Sequence, residues 1–221
     1  MEKITVTIVY DNTTTREDLE AHWGFAAVIQ AHGHTLLFDT GHKWEILSAN
    51  MKALGFSPDE IEAVVISHNH FDHAGGLEGF LAQKAVPVYV PKSCPTLFEA
   101  AKQINVSGPR EIFPGIRSTG ELGDFEQSLV VEAADGLLVI AGCSHPGVDV
   151  ILKAASSFGE VKSLVGGLHA FTQMEVLRNL ELICPTHCTQ HILMIKNLYP
   201  MAYREGGAGV VLEWDPPQGP A

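Results

Sequence analysis

Residues 62–76 read Glu62-Ala63-Val64-Val65-Ile66-Ser67-His68-Asn69-His70-Phe71-Asp72-His73-Ala74-Gly75-Gly76, and the fold is decided there. Ala63 to Ile66 is an apolar run and reads as a buried strand that stops at Ser67. His68, His70, Asp72 and His73 follow, four metal-capable side chains within six residues. In α/β proteins ligands collect outside the carboxyl ends of strands, where this cluster falls. His68 and His70 are two apart, so in extended backbone they point the same way and can share one metal. Asp72 and His73 come after a turn, which can aim them at a second metal about 3.5–4 Å away. Imidazole suits zinc, iron and nickel, and a carboxylate widens the range toward manganese. Gly75-Gly76 lets the backbone turn tightly beside the site.

The chain has 221 residues, 46% hydrophobic and 18% charged, enough to bury a sizeable core. Its formal net charge of −12 argues against a general binder of nucleic-acid backbones, which needs a basic face. No apolar stretch reaches membrane-spanning length. Met1 leads straight into a strand pattern without a secretory signal, and Cys94, Cys143, Cys184 and Cys188 form no Cys-x-x-Cys pair. Together these point to a cytoplasmic protein with no membrane or nucleic-acid partner, and leave its oligomeric state open.

Outward from the motif, residues 3–10, 24–31 and 35–38 read as strands, with His32 and His34 as solvent-facing residues of the connecting turn. Asp39 ends the third strand. Helices are expected over 44–54, 77–83, 93–103, 148–157, 172–180 and 189–198. Residues 86–90 form a strand interrupted by Pro87 and so near an edge or bend. Strands at 128–133 and 137–141 flank an Asp135-Gly136 hairpin turn, and further strands fall at 162–165, 182–184 and 210–214. Trp23, Phe25, Phe71 and Phe171 are core or pocket-lining residues.

The strand-end logic repeats. Gly142-Cys143-Ser144-His145 ends one strand, Gly166-Gly167-Leu168-His169 another, and Pro185-Thr186-His187-Cys188 the last. His145 and His187 are ligand candidates. Cys143 is either a soft ligand or a small buried residue. His169 reads as a group on the substrate side, a binder or proton donor. A separate zinc site built from Cys184, His187, Cys188 and His191 is set aside, because Cys188 and His191 look like helix positions.

The His-x-His-x-Asp-His stretch resembles the signature of the metallo-β-lactamase superfamily. The order of Asp39, Gly-Cys-Ser-His, Gly-Gly-Leu-His and Pro-Thr-His-Cys-Thr is similar to the branch of 7,8-dihydropterin-6-methyl-4-(β-D-ribofuranosyl)aminobenzene-5′-phosphate synthase-like proteins. The resemblance implies an α/β fold, a four-layer αβ/βα sandwich of two mixed sheets with helices outside. It implies a single domain over 1–214, and residues 215–221, rich in Pro and Gly, read as a loose tail. It places His68, His70 and His145 on one metal, and Asp72, His73 and His187 on the second. Asp39 supports the ligands from behind. Zinc is the metal expected first, one or two per chain, with manganese or iron as alternatives. One departure stands out. The resemblance leads one to expect a bridging Asp after the strand at 137–141, where this chain has Cys143 and no Asp before Asp149.

The function expected is that of a metal-dependent hydrolase acting on a small, phosphate-bearing substrate, with Asp72 orienting water and His169 at the leaving group. The alternatives are a pterin-diphosphate transferase and a metal-binding or sensing protein without turnover.

Overall fold

The computed structural model describes residues 2–97, 102–123 and 125–218. Strands β1 (Ile4–Tyr10), β2 (Ala26–Ala31) and β3 (His34–Phe38) form an antiparallel meander. Strands β4 (Ala63–Val65), β5 (Pro87–Pro91) and β6 (Lys102–Val106) are added to β3 in parallel. In the second sheet β7 (Arg110–Phe113), β8 (Ile116–Ser118), β9 (Leu129–Ala133) and β10 (Gly136–Ala141) run antiparallel in succession. There β11 (Val161–Gly167) and β12 (Leu182–Thr186) are parallel to β10. The closing strand β13 (Val211–Trp214) returns to pair with β1. The sheet orders are β13-β1-β2-β3-β4-β5-β6 and β12-β11-β10-β9-β8-β7.

Several strands are apolar on both faces because both faces are covered. In β1, Ile4, Val6 and Ile8 point between the sheets, while Val9 and Tyr10 join the outer layer. In β10, Leu138 and Ile140 point inward, and Leu137, Val139 and Ala141 point out. Helices α1 (Trp44–Ala53) and α3 (Leu77–Gln83) cover the first sheet, and a one-turn helix α2 (Phe71–Ala74) carries the motif. Helices α4 (Val148–Ala155) and α5 (Ile192–Leu198) cover the second. In α4, Val148, Ile151, Leu152 and Ala155 recur at helical spacing and are buried as one stripe. The result is the expected four-layer αβ/βα sandwich.

Four expectations need correction. Residues 93–97 are not helical, 98–101 lie outside the described residues, and Lys102 and Gln103 begin β6. The β5 edge offers hydrogen-bonding partners that a helix there would leave unused, and Asn105 Nδ2 ties the 91–94 turn by donating to the carbonyls of Pro91, Lys92 and Cys94. Strand β5 lies next to the edge strand β6, as its Pro87 led one to expect, with the proline as its first residue. The helix expected over 172–180 is a single 3-10 turn, Met174–Leu177, and α5 starts only at Ile192. His32 and His34 do not simply face solvent: His34 stacks on Phe113 with ring centroids 4.0 Å apart, and His32 Nε2 lies 3.0 Å from the Glu132 carbonyl.

Candidate metal centre

The carboxyl ends of β3, β4, β10, β11 and β12 deliver the candidate residues. Asp39 follows β3, the motif follows β4, Cys143 to His145 follow β10, His169 follows β11 and His187-Cys188 follow β12. Asp39, Ser144, His169 and His187 all have φ between 47° and 59°, the left-handed region that side-chain-bearing residues enter rarely. Such strain collects at functional sites, where surrounding structure holds it in place.

Three sets of donor atoms, each mutually within 4.8 Å, account for the six expected ligands and one further atom: His68–His70–His145, Asp72–His73–His187 and His68–His73–Cys143. His68 Nε2 is 3.0 Å from His70 Nδ1, and His73 Nε2 is 3.1 Å from Cys143 Sγ. The Nε2 atoms of His145 and His187 are buried and have no hydrogen-bond partner. His187 Nε2 lies 3.2 Å from Asp72 Oδ2, but not in hydrogen-bonding geometry. Buried ring nitrogens without partners are costly, and a divalent ion would satisfy them. The donor set of imidazoles, a carboxylate and a thiol therefore fits a metal.

Neighbouring groups fix the tautomers. Asp39 Oδ2 accepts from His73 Nδ1 at 2.7 Å and from Ser67 Oγ at 2.7 Å. Ser67 Oγ in turn sits 2.9 Å from His68 Nδ1, and Asn12 Oδ1 3.0 Å from His187 Nδ1. Each arrangement directs the Nε2 lone pair into the site. Trp23 Nε1 donates to Asp72 Oδ2 at 2.7 Å. Glu126 is fully buried, and its carboxylate accepts the backbone N–H groups of Cys143, Ser144 and His145 at 3.0, 2.9 and 2.8 Å.

The electrostatics favour ligation. Burial, then the neighbouring His73 and His70 rings, push His68 far below its ordinary value. Burial and the His169 ring bring His145 down to about 4, and burial lowers His187. Those rings are neutral at physiological pH with lone pairs free. Burial pushes the Asp72 carboxyl up, but the His187 and His73 rings outweigh it and hold it well below the carboxylate range. Burial lowers His73, but Asp39 more than offsets this. The Cys188 thiol beside it, then burial, raises Cys143.

His169 joins none of these sets. Its ring lies 4.9 Å from that of His145, and both border a recess of about 250 Å³ with Leu168 and Phe171. Trp23 and Phe71 are largely exposed, whereas Phe25 is core. A larger cavity, about 440 Å³ between Lys3, His32, His34 and Pro216, touches none of the donors. Sequence reasoning missed Glu126, Asn12 and the place of Cys188, which lies with Cys143 and His187 in a further donor set. Cys188 shared the strand-end context of His187 and could have been found by it. Nothing in the sequence around Glu126 marks it.

An αβ/βα sandwich with paired clusters of metal donors at one edge defines a class of metal-centred proteins. The chain belongs to the metallo-beta-lactamase superfamily, whose family profile matches residues 24–155, more than half of its length. It is 26% identical over 220 aligned residues to 7,8-dihydropterin-6-methyl-4-(beta-D-ribofuranosyl)-aminobenzene-5′-phosphate synthase of Methanocaldococcus jannaschii, covering 70% of this chain and 75% of that protein. The crystal structure of Tm1679, a metal-dependent hydrolase of the beta-lactamase superfamily, superposes with a TM-score of 0.81 at 24% identity, covering 96% of this chain and 99% of that one. The metallo-beta-lactamase fold protein YhfI from Bacillus subtilis gives 0.68 at 13% identity, covering 96% and 100%. The two structures show the shared fold.

Proposed function

We propose that the chain is a metal-dependent enzyme that hydrolyses a small phosphate-bearing molecule. The observation that carries this is the pair of facing donor sets, with His145 Nε2 and His187 Nε2 buried and unpartnered. His68, His70 and His145 hold one divalent ion, and Asp72, His73 and His187 a second. Zinc suits the donors best, with manganese or iron as alternatives. The ions supply Lewis acidity that neutralises phosphoryl oxygens and acidifies water. Asp39 and Asn12 orient the rings of His73 and His187. Asp72, kept ionised by its neighbours, orients water. His169, at the recess beside His145, donates a proton to the leaving oxygen. The net charge of −12 disfavours nucleic acid as substrate, and the free thiols of Cys94, Cys143, Cys184 and Cys188 fit the reducing cytoplasm. No helix among the described residues is long and apolar enough to cross a membrane.

A second reading is transfer. It is favoured by the M. jannaschii relative, whose name is that of a synthase. The same residues would then hold a pterin diphosphate, and an arylamine ribotide would take the place of water.

The test is metal content and turnover of the protein purified without chelator, beside a His68→Ala, His70→Ala variant. Two metals per chain and cleavage of phosphoesters or diphosphate esters, both diminished in the variant, are expected. Diphosphate release that requires an arylamine acceptor would replace hydrolysis by transfer. Absence of metal binding would overturn both readings.

A further inference from the structure

Cys143 and Cys188 are not used by the reaction proposed above, yet the fold brings their sulfurs together. Cys143 follows β10 and Cys188 follows β12, with β11 between them. The two Sγ atoms and a ring nitrogen of His187 lie within 4.8 Å of one another. Cys143 Sγ also belongs to the set formed with His68 and His73. It therefore lies within reach of His68 in one half of the site and of His73 and His187 in the other.

Two independent features make room for this pair. His187 Nε2, buried and without a hydrogen-bond partner, is the nitrogen through which both sulfurs reach the ion assigned above to Asp72, His73 and His187. Gly167, at the end of β11, leaves the space: a Cβ there would stand 2.7 Å from Cys188 Sγ, 3.3 Å from Cys143 Cα and 2.4 Å from the Gly142 carbonyl. Its φ is not in the left-handed region, so glycine is required by room, not by conformation. Cys188 Sγ meanwhile makes only a long contact, 3.8 Å, to the Cys143 carbonyl.

We propose that Cys143, Cys188 and His187 form a sulfur-bearing half of the metal centre, which takes a thiophilic divalent cation, zinc or ferrous iron, in preference to manganese or magnesium. The inference rests on the metal-centre reading above and deepens it. Carboxylate and imidazole donors alone accept manganese, whereas thiolates select softer ions. As each sulfur–metal bond forms, its thiol releases one proton to solvent. Cys143, reaching both halves, stands where the expected bridging carboxylate is missing.

Cobalt(II), added to protein stripped by chelator, is the probe. Sulfur–cobalt bonds give a charge-transfer absorption in the near ultraviolet whose intensity grows with the number of thiolates. The wild-type protein is expected to show it, Cys143→Ser and Cys188→Ser to lose about half each, and the double variant to lose it all. The His68→Ala, His70→Ala variant keeps it. Zinc–manganese competition gives a second readout, with the preference for zinc falling about tenfold or more in Cys188→Ser. If the wild-type protein binds cobalt without the sulfur band, this inference fails and the metal centre stands. If it binds no cobalt by equilibrium dialysis, both fail. The wild-type spectrum decides this without relying on any variant folding.

Discussion

Replacing Glu126 by Gln tests how the His145 loop is held. Glu126 Oε1 accepts the N–H groups of Cys143 and Ser144, and Oε2 accepts that of His145. Glutamine keeps one oxygen, which can still take two of the three. Its amide group would face the remaining N–H, donor against donor. A hydrogen bond to a charged group contributes about 1.5–3 kcal/mol, and a buried donor left unsatisfied costs a further ~1–3 kcal/mol. Against this, burial pushes the Glu126 carboxyl up, so the ionised side chain itself carries a desolvation cost that glutamine escapes. The net expectation is a loss of about 1–3 kcal/mol, read by urea unfolding of chelator-treated protein. Glu126→Ala, which leaves all three amides orphaned, should lose about 3–5 kcal/mol. Ser144 sits at φ 59°, a conformation the loop keeps only while held. Zinc affinity of Glu126→Gln, measured by competition with a chromophoric chelator, should therefore fall about tenfold or more. A variant within about 0.5 kcal/mol of wild type and with unchanged zinc affinity would refute the role assigned to this carboxylate.

Three further outcomes follow from the same geometry. A Cβ on Gly76 would meet the Thr40 carbonyl at 2.3 Å, so Gly76→Ala should cost about 2–3 kcal/mol in urea unfolding, and a loss below about 1 kcal/mol would show that the motif loop can shift. His169→Ala should lower turnover while metal content stays constant, and metal loss in elemental analysis would instead make His169 a ligand. Burial pushes the Glu62 carboxyl up, but the Thr35 N–H, the His34 ring and Lys84 outweigh it and hold it below its ordinary 4.5. A carboxyl depressed in the folded state contributes stability above its unfolded value and loses it as pH falls through the folded one. Glu62→Gln should thus be slightly less stable than wild type at neutral pH, with the difference closing below about pH 4.5; an equal difference at pH 7 and pH 3 would contradict this.

The centre of the fold was readable because its chemistry is contiguous. His68, His70, Asp72 and His73 follow one apolar strand, and the same strand-then-donor pattern marks His145 and His187. What the sequence hid falls into two physical kinds. One is propensity overridden by partners: residues 102–106 carry no strong strand signal, yet the open edge of β5 draws them into the sheet. The other is polarity buried without periodicity. Glu126 is a charged residue in a loop, and only its three bonds to residues 17 to 19 positions away explain its burial. Cys188 reads as a helix residue in the sequence, whereas α5 begins four residues later and the Cys188 sulfur lies within 4.8 Å of Cys143 Sγ.

Backbone strain belongs to the second kind and ties the site to the fold. Glycine would announce a left-handed residue in the sequence, but Asp39, Ser144, His169 and His187 adopt that conformation while looking ordinary. Each such residue costs on the order of 1–3 kcal/mol, so each must be held from outside. Glu126 holds the loop of Ser144 through the amides on either side of it. Asp11 Oδ1 and Asn12 Nδ2 hold the backbone N–H and carbonyl of His187 at 2.8 Å each, and the Gln190 N–H holds the His169 carbonyl at 2.9 Å. Asp39 is pinned by the Ser67 N–H on one oxygen and His73 on the other. The groups that restrain the strain are mostly not the candidate metal donors themselves. They can therefore be altered one at a time without removing a ligand, and a loss of metal affinity in such variants would come from donor placement alone.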